Sequence, residues 1–206
     1  MLTRRQIIAA APAAFAFAAL GAGAAQALEI SEKTVFFDPD APVLGNPKGD
    51  VTVVEFFDYQ CPYCKKNHPM IRDVVKADGN IRFLMKDWPI LGDASVYAAQ
   101  AALGAAQIGR YETAMEALMK FKGRLSPDSV KQTLVDAGLK MDDITAAVNK
   151  YNQKISGLLD RNYGQATAFE FVGTPSFVVG RTTYAGVLDD KMLKVAIAEA
   201  RKKKAG

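Results

Sequence analysis

The chain has 206 residues, half of them hydrophobic and about a quarter charged, with a formal charge of +4. This composition excludes a disordered or fibrous protein and fits one folded domain with a core of its own. No basic stripe interleaved with aromatic residues is present, which argues against nucleic acid as a partner.

Read in chain order, the first segment has the form of a cleaved leader. Arg4 and Arg5 make a positive start, an apolar run follows from Ile7 to Leu20, and the small-residue pattern Ala25-Gln26-Ala27 closes it. That pattern predicts a signal peptide over 1–27 and an exported, periplasmic mature protein beginning at Leu28. Thr3-Arg4-Arg5-Gln6 also resembles a twin-arginine signal, so the export route stays open between the two systems. Without the leader the formal charge is +2, and Arg201-Lys202-Lys203-Lys204 reads as a solvated helix end.

Val35-Phe36-Phe37 reads as a short strand, and Asp38 to Asp50, with three prolines and two glycines, as a loop. Val51 to Asp58 is a nearly continuous run of β-branched and aromatic residues, the pattern of a central strand buried on both faces. Cys61-Pro62 then opens a helix that Pro69 should kink or divide, and Ile81 to Lys86 is the next strand. From Asp93 to about Phe169 apolar residues recur at helical spacing, with a helix start at Ser126-Pro127-Asp128 and a last helix from about Ala146 through Ala168. Strands return at Ser176 to Val179 and Thr183 to Ala185, and a helix from Asp189 to about Lys203 ends the chain. The order β-α-β, helical block, β-β-α is that of one α/β domain.

The two cysteines, Cys61 and Cys64, stand three residues apart. A bridge between them closes too small a loop to restrict the unfolded chain, so its value is chemical. With Pro62 at the first helical position, Cys61 is the N-cap, where first-turn N–H groups and the helix dipole favour a thiolate. Such cysteines titrate at roughly 3.5–7, against about 8.5 for a free thiol. Cys64, one turn further in, should be more buried and less acidic. Cys61 is therefore the candidate attacking and leaving sulfur, and Cys64 the resolving one. A zinc site lacks a second cysteine pair, whereas Cys61, Cys64 and His68 together could make a three-ligand copper(I) site. C-x-x-C beside a β-α-β pattern favours redox chemistry over either metal reading, and calls for no cofactor.

Two motifs, Phe56-Phe57-Asp58-Tyr59-Gln60-Cys61-Pro62-Tyr63-Cys64 and Gly173-Thr174-Pro175-Ser176-Phe177, resemble those of the DsbA-like branch of the thioredoxin superfamily. Lys86-Asp87-Trp88-Pro89-Ile90-Leu91-Gly92 resembles a feature of the subgroup that includes the suppressor-of-copper-sensitivity protein ScsC. The resemblance implies a thioredoxin fold with an inserted helical subdomain over about 93–169. It also implies exchange of a Cys61–Cys64 disulfide with cysteines of exported proteins, and a membrane redox partner that recycles the pair. By the same resemblance Pro175 is cis and faces the cysteines, and Thr174 offers backbone groups to an extended substrate. Glu55, an acid inside an apolar strand, matches a family proton relay to the buried cysteine. A carboxylate facing a cavity, or paired with Arg82 or Lys86 on a neighbouring strand, is the plainer reading, and the relay is the one favoured here.

The resemblance implies that Pro62 and Tyr63, between the cysteines, tune the redox balance. Tyr63 stands where strong oxidants often carry histidine, and Thr174 likewise leans toward isomerase or reductase chemistry. Only about two dozen mature residues precede Val51, which leaves no room for a coiled-coil stalk. A monomer is therefore expected, and with it an oxidase rather than an isomerase.

Overall fold

The computed structural model describes residues 30–205, and the expected leader lies outside these residues. Strands β1 (Val43–Gly45), β2 (Val51–Phe57), β3 (Ile81–Asp87), β4 (Ser176–Val179) and β5 (Thr182–Ala185) form one sheet in the order β1-β3-β2-β4-β5. Strand β2 is central, parallel to β3 and antiparallel to β4. Both of its faces are covered, which is why Val53, Val54, Phe56 and Phe57 can follow one another without polar alternation.

Helix α1 (Glu32–Phe36) replaces the strand expected at Val35-Phe36-Phe37. A capping box decides it: Ser31 accepts the N–H of Thr34, and the Thr34 side chain accepts the N–H of Ser31. The expected loop from Asp38 to Asp50 contains β1, which adds antiparallel to the edge of β3. Helix α2 (Pro62–Asp78) runs on undivided through Pro69, although that proline offers no N–H to the carbonyl of Lys65. It stops at Gly79, in the left-handed region at φ 70°.

Five helices lie between β3 and β4: α3 (Asp93–Gln107), α4 (Tyr111–Lys120), α5 (Pro127–Asp136), α6 (Met141–Lys150) and α7 (Asn152–Ala168). The single last helix expected from about Ala146 is thus two, broken at Tyr151, whose φ of −109° and ψ of 22° leave the helical region. Helix α8 (Asp190–Ala205) packs against α2 and the central strands. Together these elements form a thioredoxin-like α/β fold with helices added between its halves. Among the described residues no helix is long and apolar enough to cross a membrane.

Candidate active site

The chain leaves β2 at Phe57, turns, and enters α2 at Pro62, so strand, turn and helix start fix the first cysteine. Cys61 is the N-cap of α2, with extended φ and ψ of −70° and 118° and proline directly after it. The turn is held by its own side chains. Asp58 Oδ1 accepts the N–H of Gln60 at 2.7 Å, and Asp58 Oδ2 accepts that of Leu91 at 2.9 Å. The Asp58 carbonyl accepts the N–H of Cys61 at 3.0 Å, and Gln60 Oε1 accepts that of Leu125 at 2.6 Å. Asp58 and Gln60 stand in the motif read from sequence, but their positioning work was not. An aspartate two residues before a backbone N–H is the signal that could have shown it.

Both thiols are free, Cys61 3% exposed and Cys64 0%. Their environments divide them. The hydrogen bond from the Cys64 side chain draws the Cys61 pKa down to about 6; burial opposes this, and the Thr174 side chain and the N–H groups of Cys64 and Tyr63 assist. Those N–H groups act as neighbouring dipoles, since no cap hydrogen bond of ordinary geometry reaches the sulfur. Burial, first of all, pushes the Cys64 thiol far up, joined by the hydrogen bond it gives to Cys61 and by the charge of Glu55. Of the two, Cys64 is the more deeply buried, in keeping with its place one turn further into α2.

The Thr174–Pro175 bond is cis, as the resemblance implied, and the Thr174 carbonyl accepts a hydrogen bond from the Cys61 thiol at 3.2 Å. The loop before β4 thus lies against the start of α2. Two exposed apolar side chains flank this place, Tyr63 within the first motif and Val172 just before the second.

Glu55 is fully buried on β2, and neither carboxylate oxygen has a hydrogen-bond partner among the described residues. Burial, followed by the charge of Cys61, pushes its pKa up to about 8, so it is a neutral acid at pH 7. The alternative pairing with Arg82 or Lys86 is not what the side chains do. Arg82 donates to the carbonyls of Phe36 and Pro47, and Lys86 to Asn162. Register explains Lys86: Glu55 sits opposite Met85, so the next residue points through the other face of the sheet. Asp87 returns to the Glu55 face. It is a second buried acid, its pKa raised by burial, to which the sequence reading gave no role.

His68 is buried on α2 and turns its Nε2 to Glu116 Oε1 at 3.0 Å. The triad of Cys61, Cys64 and His68 is not assembled, and no three His, Cys, Asp or Glu side chains gather as a metal-sized cluster among the described residues.

The sequence model of the thioredoxin family matches residues 38–199. The chain belongs to the thioredoxin family. Among solved structures it is similar to a thioredoxin-like oxidoreductase from Silicibacter pomeroyi DSS-3, at 39% identity and TM-score 0.81, covering 84% of this chain and 99% of that one. It is also similar to the thiol-disulfide exchange protein alpha-DsbA2 from Wolbachia pipientis, at 28% identity and TM-score 0.76, covering 82% and 91%. A curated relative is the Na(+)/H(+) antiporter NhaA 3 of Salinispora tropica, 28% identical over 194 residues. The match takes in 92% of this chain but only 29% of that protein's length. The DsbA-like character of the family member described here therefore rests on fold, cysteine pair and cis-proline loop together.

Proposed function

We propose that this protein is a thiol–disulfide oxidoreductase of exported proteins, working chiefly as an oxidase. The observation that carries the reading is the unequal cysteine pair: Cys61 held near a pKa of 6 at the start of α2, and Cys64 buried behind it. In the oxidised enzyme a substrate thiolate attacks the Cys61 sulfur, the Cys61–Cys64 bond breaks, and Cys64 departs with the electron pair. In this reading the neutral Glu55 gives that sulfur a proton, a role supported by its burial and its electrostatic influence on Cys64. A second substrate thiolate then attacks the substrate sulfur of the mixed disulfide, and Cys61 leaves as a thiolate. The substrate loses two electrons and the enzyme gains them. A membrane redox partner would return the pair to the disulfide.

Stabilising the Cys61 thiolate stabilises the reduced enzyme and so makes its disulfide the better oxidant. Thr174 presents backbone groups to an extended substrate in the manner of an added strand. Pro175 shapes that loop, and Pro62 and Tyr63 set the geometry between the sulfurs. We place the protein in the periplasm after cleavage behind Ala27, and expect a monomer in light scattering.

The test is the reduction potential of the pair, measured against a glutathione buffer, with oxidation of a reduced multi-thiol protein alongside. A potential above about −200 mV with net disulfide formation supports the oxidase, and one near about −270 mV indicates a reductase. Efficient unscrambling of a misbridged substrate would instead favour the isomerase reading, to which Tyr63 and Thr174 lean.

A further inference from the structure

A groove of about 790 Å³ runs beside the cysteine pair, between α2 and the segment that joins α4 to α5. Gln60 and Pro62 of the active-site turn form one end of it. Its walls carry five cations, Lys65, Lys66, Arg72, Lys120 and Lys122, and two acids, Asp73 and Glu116. Residues 30–205 as a whole hold an excess of only three basic side chains over acidic ones, so the groove alone matches the surplus of the entire described chain.

The cations are not equivalent. Lys65 donates to the Phe121 carbonyl at 2.8 Å and lies over the Phe121 ring, which ties the loop to α2. Arg72 pairs with Glu112 and Glu116, and Lys120 with Glu116 at 3.2 Å. His68 adds no charge at neutral pH, because burial holds its imidazole below the usual range despite Glu116. Lys66 and Lys122 are exposed, and neither takes part in an ion pair among the described residues. They stand on opposite walls, one on α2 and one after α4. The second loop contact, from Leu125 to Gln60, fixes that wall to the turn that carries Cys61.

We propose that this groove is a substrate subsite that takes the acidic residues of a polypeptide flanking its target cysteine, with Lys66 and Lys122 receiving the carboxylates. The inference rests on the thiol–disulfide reading above and adds to it a class of preferred substrate. Its size admits a few side chains, and its continuity with Gln60 and Pro62 places them next to the reacting sulfur. A polypeptide is the fitting anion because the same molecule must present a thiol at Cys61.

The test uses the oxidised mature protein and three cysteine peptides that differ only in having Glu, Gln or Lys beside the cysteine. Rates of exchange are compared between the wild type and the double variant Lys66→Glu, Lys122→Glu, with mercaptoethanol as an uncharged reference thiol. Taking wild type over variant cancels each peptide's own thiol acidity. That ratio should be about tenfold higher for the Glu peptide than for the Lys peptide at low salt, and should shrink toward unity at high salt. Exchange with mercaptoethanol, whose only charge is its thiolate, should change by no more than exchange with the Gln peptide. Equal ratios for the three peptides, or a preference that survives in the variant, would overturn the subsite while leaving the redox reading intact. Failure of every thiol to exchange, mercaptoethanol included, would overturn the redox reading and the subsite with it.

Discussion

The two faces of the sheet bury opposite kinds of ionisable group, and they treat them differently. On one face Glu55 has no partner for either oxygen, and burial brings it to a pKa of about 8. On the other, one residue away in register, Lys86 is also fully buried and also brought to about 8 by burial, partly offset by Asp38. At pH 7 the same value leaves the acid neutral and the amine charged. The amine is accordingly provided for: Nζ donates to Asn162 Oδ1 at 3.3 Å, and Asn162 in turn donates to the Asp87 carbonyl at 3.1 Å. Asp38 beyond it is held below the usual carboxylate range, since the Arg161 guanidinium, donating at 2.7 and 3.0 Å, overcomes the effect of burial. Buried polar groups are normally satisfied; Glu55, like Asp87 on the same face, has bare oxygens, whereas the Lys86 amine on the other face has a partner. The contrast sets a neutral, unpartnered acid on the cysteine side of the sheet against a charged amine whose hydrogen bond ties α7 to β3.

Substitution should separate the two roles most widely in turnover. Glu55→Gln should slow exchange about a hundredfold at pH 7, the usual worth of a positioned proton donor, as measured by stopped-flow oxidation of a dithiol peptide. Lys86→Gln should leave the rate per folded molecule within about a factor of two. An equal loss in both variants would erase the contrast.

Stability should move in the opposite sense. Between the ordinary carboxyl value of 4.5 and about 8, the folded protein keeps the Glu55 proton and the unfolded chain loses it. Wild-type stability therefore falls as pH rises through that window. Glu55→Gln lacks this slope and should be more stable in urea by about 3 kcal/mol at pH 7, with little difference near pH 4. Lys86→Ala removes a buried side chain and leaves Asn162 without its donor, and should cost about 3 kcal/mol at the same pH.

Asn162→Ala offers a smaller, sharper comparison. It removes the hydrogen bonds to the Lys86 amine and the Asp87 carbonyl and should cost about 2 kcal/mol, with exchange unchanged. A loss of exchange there would mean that the two faces are coupled.

Much of this arrangement was legible in the sequence because it is local. Cys61-Pro62 announces a helix start, and an acid in the run from Val51 to Phe57 announces a buried carboxyl. The order of an α/β domain followed from the same pattern, and its thioredoxin character from the resemblance carried by the two motifs. What was not legible depended on competition between local and distant forces. Val35-Phe36-Phe37 has strand composition, but the Ser31 and Thr34 cap turns it into the end of a short helix. Val43 to Gly45 looks like loop because prolines flank it, and only the unpaired edge of β3 makes it a strand. Lys86 and Asp87 stood side by side in a recognised segment, yet which face each would meet required the register of β2 on β3. The Lys66 and Lys122 groove needed two segments more than fifty residues apart to be brought together.

The most direct test of the account is titration of the reduced protein by thiolate absorbance, with a Cys64→Ala variant to assign the signal. Cys61 should ionise with a midpoint near 6, while Cys64 gives no thiolate below pH 9 in the wild type. A Cys61 midpoint above about 8, that of an ordinary thiol, would contradict the claim that the Cys64 hydrogen bond, together with the start of α2, makes it the leaving sulfur.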